Sequence, residues 1–235
     1  MSHATDNRIF ASLFNFRDVG GVATRDGRVV ATGRLYRSDT LTRLSAADLV
    51  TFDGMGIRTV FDLRRRAEIA EFGRVPDALG RRYVNLTPDH ELWEPVPYDA
   101  SAGPARFLAD RYMEIAVDGA AAIGGIVGML SEPGACPAVV HCFAGKDRTG
   151  VLVAIVLGLL DVDDDGIADD YALSKNWTGT LTLDDVPNHW LAAPRDAMTL
   201  FLADVRTRFG SMEGYAATAG ITGTGVASLR AQLLS

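Results

Sequence analysis

The residues most able to do chemistry are contiguous: His141-Cys142-Phe143-Ala144-Gly145-Lys146-Asp147-Arg148-Thr149-Gly150. Five residues separate Cys142 from Arg148. The segment links a short apolar strand, Ala138–His141, to Thr149–Leu160, which is apolar on every side and reads as a centrally buried helix. A loop of this length at a helix N-terminus can wrap a tetrahedral anion with successive backbone N–H groups. Gly145 permits close backbone approach or a positive φ. Arg148 supplies a planar fork for two phosphate oxygens, which lysine cannot reproduce. A helix N-terminus and a neighbouring guanidinium also favour thiolate over thiol, the state in which a cysteine is nucleophilic.

The chemistry this predicts is in-line attack of Cys142 on a phosphate monoester. Charge developing on the equatorial oxygens would meet the loop amides and Arg148. Thr149 is placed to offer its hydroxyl to the sulfur as the phosphocysteine breaks down. The expected phosphate and substrate contacts are Phe143, Ala144, Gly145, Lys146, Asp147, Arg148 and Thr149, joined by Asp62 and Arg64, with Lys146 as a flexible cation at the rim. A Walker A loop is excluded, because Asp147 follows Lys146 where Ser or Thr is required.

The surrounding elements must hold this loop. Strands are predicted at Arg28–Thr32, Arg34–Arg37, Thr59–Leu63 and Arg82–Leu86. Helices are predicted from Ala46 to Met55, behind an Ser45 cap, and over 105–117 and 120–130. Further helices are expected from Asp164 or Asp165 to Ser174, and near 195–209 and 224–234. Residues 87–104, with four prolines, read as a long loop, and 176–194 as a lid insertion. Strands alternating with helices predict one α/β domain over 1–235 with a mostly parallel central sheet. Thr59–Leu63 delivers Asp62, and next to it Arg64, to the C-terminal end of its strand. Arg64 either contacts substrate or pairs with Glu68 four residues on.

The 235-residue chain carries a net charge of −7, which argues against nucleic-acid binding and requires a local positive cluster for an anionic substrate. The longest apolar run, Val151–Leu160, has ten residues, too few for stable membrane insertion, and no N-terminal signal-peptide pattern is visible. The expectation is a cytoplasmic protein, or one exported without a recognisable signal. Asp161–Gly166 imitates the first half of an EF-hand, but Ala172 occupies the position of the bidentate carboxylate. The acids read instead as a turn and helix cap, and no metal or cofactor is called for. Of the two cysteines, Cys136 reads as a buried filler, with a disulfide to Cys142 as the alternative. No feature fixes an oligomeric state.

The pattern His-Cys-x5-Arg-[Ser/Thr] resembles the signature loop of the protein tyrosine phosphatase superfamily. In the version HCFAGKDRTG it is similar to the bacterial subfamily that contains mycobacterial protein tyrosine phosphatase B. NFRDVGG at 15–21, GRLYRSDTLTRLS at 33–45, DLR at 62–64 and DDYALS at 169–174 resemble that subfamily in the same order. The resemblance implies a cysteine-phosphatase fold and a phosphoric monoester hydrolase acting on protein phosphotyrosine. Phosphoinositides or other small phosphates are the alternative substrates, which in relatives accompany a lysine matching Lys146. An inactive phospho-binding module is the reading from another class. The resemblance further implies Asp147 as general acid, with Asp62 as the second candidate. His141 is expected to hold the loop by hydrogen bonds.

Overall fold

The computed structural model describes residues 9–91, 93, 96–175 and 187–235. Five strands form one sheet: β1 (Arg17–Asp18), β2 (Leu35–Ser38), β3 (Thr59–Asp62), β4 (Arg82–Asn85) and β5 (Ala138–His141). Their order is β1-β2-β5-β3-β4. Only the β1–β2 pairing is antiparallel; β2–β5, β5–β3 and β3–β4 are parallel. The mostly parallel α/β architecture expected from the sequence is therefore present. The predicted strand at Arg28–Thr32 is not: Val29 and Val30 make only isolated bridges, to Ala23 and Leu234.

Strands β2, β3 and β5 are buried along their whole length. The reason is the alternation of side chains across the sheet. Val60 and Val139 face a core with Phe10, Leu13, Phe52 and Ile57. Phe61, Ala138 and Val140 face the other, larger core. A sheet covered on both faces needs apolar residues at consecutive positions, and the sequence supplies them.

On the smaller-core side lies α1 (Ala46–Gly54), capped reciprocally by Ser45 and Asp48. Helix α2 (Arg66–Phe72) follows β3 and was not expected from periodicity. Helices α3 (Gly103–Asp118), α4 (Ala120–Leu130), α5 (Asp147–Leu159) and α6 (Asp164–Ala172) come next. The chain continues through α7 (Asn188–Leu191), α8 (Arg195–Phe209), α9 (Met212–Thr218) and α10 (Gly223–Leu233). In α5, Val151, Leu152, Ile155, Val156 and Leu157 are fully buried. Each such side chain contributes roughly 1.5–3 kcal/mol of transfer free energy, so the helix below the loop is firmly anchored.

The EF-hand-like acids are used as caps and ion pairs. Asp163 accepts from the Gly166 N–H at 2.8 Å and caps α6. Asp164 pairs with Arg206 and Arg25, and Asp165 with Arg195. Among the described residues no single helix is long and apolar enough to cross a membrane. Helices α3 and α4 meet that test only jointly and are bent by 73° at their junction. Of the expected lid, residues 176–186 lie outside the described residues; 187–194 are a short loop, α7 and a connector.

Candidate active site

The loop sits at the C-terminal edge of β5, between β2 and β3, where parallel α/β sheets commonly bind ligands. Three of its successive carbonyls are tied outward. Phe143 O accepts from the Thr40 N–H at 3.0 Å. Ala144 O accepts from Asn15 Nδ2 at 2.9 Å, and Gly145 O from Arg37 Nη2 at 2.7 Å. A planar trans peptide points its N–H opposite to its C=O. The amides of Ala144, Gly145 and Lys146 therefore face the other side, where Cys142 lies. The Gly145 N–H reaches Cys142 Sγ at 3.2 Å.

Gly145 is required at this turn for two reasons. Its φ is +67°, in the left-handed region, and a Cβ there would sit 2.3 Å from Ser38 O. Both the conformation and the contact exclude a side chain.

The motifs scattered along the sequence converge on these outward ties. Asn15 Oδ1 accepts from Arg17, which orients Nδ2 toward Ala144. Asp170 binds both Arg17, at 2.9 Å, and Arg37. Burial opposes ionisation of Asp170, but the two guanidinium groups outweigh it and hold its pKa below the ordinary value. A buried ion network thus connects β1, β2, α6 and the loop.

Arg148 is gripped from the side. Its Nη1 donates to Glu68 Oε2 at 2.6 Å and to Leu63 O at 3.2 Å; its Nη2 donates to Glu68 Oε1 at 2.8 Å. These bonds use three of the five guanidinium N–H donors. The remaining pair, Nε–H and the second Nη2–H, share the free edge of the fork. Burial works against the cation, but Glu68 together with the charges of Cys142 and Asp147 raises its pKa above the ordinary arginine value.

Glu68 is therefore the partner of Arg148 and not of Arg64. Arg64 is fully buried, with Nε–H and Nη2–H donating to Asp62 at 3.0 and 2.6 Å. Asp62 is fully buried too and also accepts from Tyr83 Oη at 2.8 Å. Burial opposes its ionisation, yet the His141 ring and Arg64 outweigh that and lower its pKa. Asp62 and Arg64 are thus enclosed and bonded to each other at the end of β3, which corrects the expected pairing of Arg64 with Glu68.

Lys146 also departs from expectation. It is 2% exposed, not a solvated rim cation. Its Nζ donates to Trp190 O and, at 2.9 Å, to Ala192 O, and lies 3.2 Å from Asp147 Oδ1. The lysine thus fastens the 190–192 segment to the loop. The Trp190 ring meets Trp93 edge-on at 6.2 Å, and His189 stacks on Tyr98 at 3.8 Å, so this segment also has aromatic contacts with 93–98.

Asp147, the first residue of α5, accepts from Tyr112 Oη at 2.8 Å. Tyr112 and Tyr171 hydroxyls are 2.5 Å apart. Thr149 is fully buried and its hydroxyl makes no hydrogen bond among the described residues. His141 is fully buried; its Nδ1–H donates to Cys142 O at 3.1 Å, and burial lowers its pKa, with Asp62 opposing. That agrees with the expected loop-holding role. Phe143 packs edge-on against Phe72 at 5.2 Å, and Arg43 lies over both Phe143 and Phe14. Cys136 precedes the four-residue strand β5 while Cys142 follows it, and both cysteines are free.

Glu68, Asn15, Arg37, Asp170, Tyr112, Tyr171 and His90 were not singled out as site residues from the sequence. Asn15, Arg37, Asp170 and Tyr171 lie within the recognised motifs, so a signal existed without a role. His90 senses the charges of Arg148 and Asp147, although burial, the larger effect, lowers its pKa. It lies in the segment read as an irregular loop, and nothing in its spacing links it to the site.

A mostly parallel sheet, with a loop between a buried strand and a buried helix whose amides turn toward a cysteine, defines an α/β protein with a candidate anion cradle. The chain belongs to the tyrosine phosphatase family, whose model matches residues 9–235. It is 34% identical over 200 residues to the triple specificity protein phosphatase PtpB of Mycobacterium tuberculosis, covering 72% of this chain and 69% of that protein. It is also 34% identical over 177 residues to a Cupriavidus necator protein with a provisional tyrosine-protein phosphatase name, covering 71% and 62% respectively. A crystal structure of TpbA from P. aeruginosa aligns over 82% of this chain and 90% of that one, with TM-score 0.38 and 15% identity. The chain is thus a phosphatase, a phosphoric monoester hydrolase with a phosphorylated substrate.

Proposed function

We propose that this phosphatase works through a phosphocysteine on Cys142 and acts principally on protein phosphotyrosine. The observation that carries the mechanism is the outward anchoring of the Phe143, Ala144 and Gly145 carbonyls, which turns the following amides toward the Cys142 sulfur. Those amides and the free edge of Arg148 bind the three non-bridging phosphate oxygens. The thiolate attacks phosphorus as the ester P–O bond breaks, and Asp147 passes its proton to the departing oxygen. Water then attacks the phosphocysteine, with Asp147 taking the proton from it and the Thr149 hydroxyl assisting the departing sulfur.

The substrate assignment rests on the rim. Phe143 and Phe72, the latter 46% exposed, stand beside the cradle and suit an aromatic phosphoester. The phosphoinositide alternative drew on a rim lysine, and Lys146 is instead occupied by backbone carbonyls. The inactive-module reading is disfavoured by the presence of Cys142, Arg148 and Asp147 around one loop.

The test is a substrate panel of phosphotyrosine, phosphoserine and phosphothreonine peptides and phosphoinositides, with Cys142→Ser beside the wild type. The expected result is highest kcat/KM for phosphotyrosine, and no turnover by Cys142→Ser with phosphate binding retained, because a serine hydroxyl is not ionised there. Turnover by that variant would overturn the mechanism. Higher kcat/KM for a lipid or phosphoserine would overturn the substrate assignment alone.

A further inference from the structure

Asp147 meets a tyrosine of α3 and a lysine of its own loop, and its two carboxyl oxygens are not equivalent. Oδ1 accepts from the Tyr112 hydroxyl of α3 at 2.8 Å and lies 3.2 Å from the Lys146 ammonium of its own loop. Tyr112 is fully buried and has one hydroxyl proton, which it gives to Asp147. The 2.5 Å contact between the two tyrosines is then donated by Tyr171 of α6, itself 1% exposed. The other charged or titratable groups facing Asp147 among the described residues include Arg148 and His90. The tyrosine hydroxyl and the lysine ammonium thus both crowd Oδ1 and leave Oδ2 for a proton. At 23% side-chain exposure, the carboxyl is open enough to meet a substrate.

We propose that Tyr112, backed by Tyr171, is a positioning residue that fixes which oxygen of Asp147 carries the transferable proton. The idea rests on the reading of Asp147 as general acid. A proton on Oδ2 can pass to the ester oxygen as the P–O bond breaks, leaving the carboxylate with Oδ1 still bonded to Tyr112. Without the tyrosine hydroxyl, Oδ1 keeps only the Lys146 ammonium, which the Trp190 and Ala192 carbonyls also claim, and the carboxyl can rotate its proton away from the leaving group. Tyr112 plays no part in binding the phosphate itself.

The discriminating measurement is kcat across aryl and alkyl phosphates of graded leaving-group basicity, since good leaving groups need little protonation. For Tyr112→Phe the loss should grow along the series, from about twofold with p-nitrophenyl phosphate to about tenfold or more with alkyl phosphates. KM and inhibition by inorganic phosphate should stay within about twofold. Tyr171→Phe leaves Tyr112 in place and should show the same grading more weakly; it decides the matter if Tyr112→Phe does not fold.

Asp147→Asn separates the two layers of the argument. A graded loss in Asp147→Asn with a uniform loss, or none, in the folded tyrosine variants overturns the positioning role and spares the general acid. A uniform loss in Asp147→Asn overturns both.

Discussion

Removing Glu68 isolates the contribution of the clamp on Arg148. In Glu68→Ala the guanidinium loses two charge-assisted hydrogen bonds, of 2.6 and 2.8 Å, and the Arg65 N–H loses its acceptor at 2.8 Å. Breaking a fully buried pair costs about 3–5 kcal/mol. Here the two side chains keep 13% and 23% of their exposure, so water offsets part of that. A destabilisation of about 2–3 kcal/mol is expected, read as a urea midpoint lowered by roughly 1 M at a slope near 3 kcal/mol/M. Catalysis should suffer separately. With only Leu63 O left to hold it, the fork swings out of register, and misplacement by about 1 Å can cost on the order of 10² in rate.

The pH dependence has a defined sign. Burial opposes ionisation of Glu68, but Arg148 outweighs it and lowers the folded-state pKa below 4.5. A carboxyl depressed in the folded state stabilises above its unfolded value, and that stability is lost as pH falls through the folded one. The stability gap between wild type and Glu68→Ala should therefore be full at pH 7 and narrow below about pH 4.5. Urea titrations at pH 7 and pH 4, with kcat on p-nitrophenyl phosphate at pH 7, make the test. An unchanged midpoint with kcat within threefold of wild type would refute the clamp.

Two further outcomes follow from the same geometry. Gly145→Ala demands a left-handed alanine, costing about 1–2 kcal/mol, and a displacement of Ser38 O from 2.3 Å. Soluble variant with intact circular dichroism should lose at least 10²-fold in kcat; near-normal turnover would show that the loop does not need this backbone. Lys146→Met should release the 190–192 segment, seen as faster limited proteolysis and altered tryptophan fluorescence, while inorganic phosphate inhibits within about threefold of wild type. A tenfold weaker phosphate inhibition with unchanged proteolysis would return Lys146 to the role of substrate ligand.

What the sequence by itself determined is the part encoded in contiguous residues. Cys142, Gly145 and Arg148 lie in one strand–loop–helix segment, so their spacing alone fixes the local path of that loop. The two apolar runs on either side announce that the segment is buried, and Val60, Val139 and their neighbours announce a sheet covered on both faces. The outcome for side chains with long reach was different. Glu68 is four residues from Arg64, the helical spacing that invites a pair, yet it bonds Arg148, eighty residues away.

Lys146 reads as a rim cation until the 190–192 backbone covers it. Tyr112 and Tyr171 carry no local mark of their contact, because it exists only once α3 and α6 pack on α5. Local backbone geometry is short-ranged and survives in spacing. The partner of a buried charge or hydroxyl is chosen by whichever group desolvation brings within hydrogen-bond distance, and that choice was made by the tertiary structure.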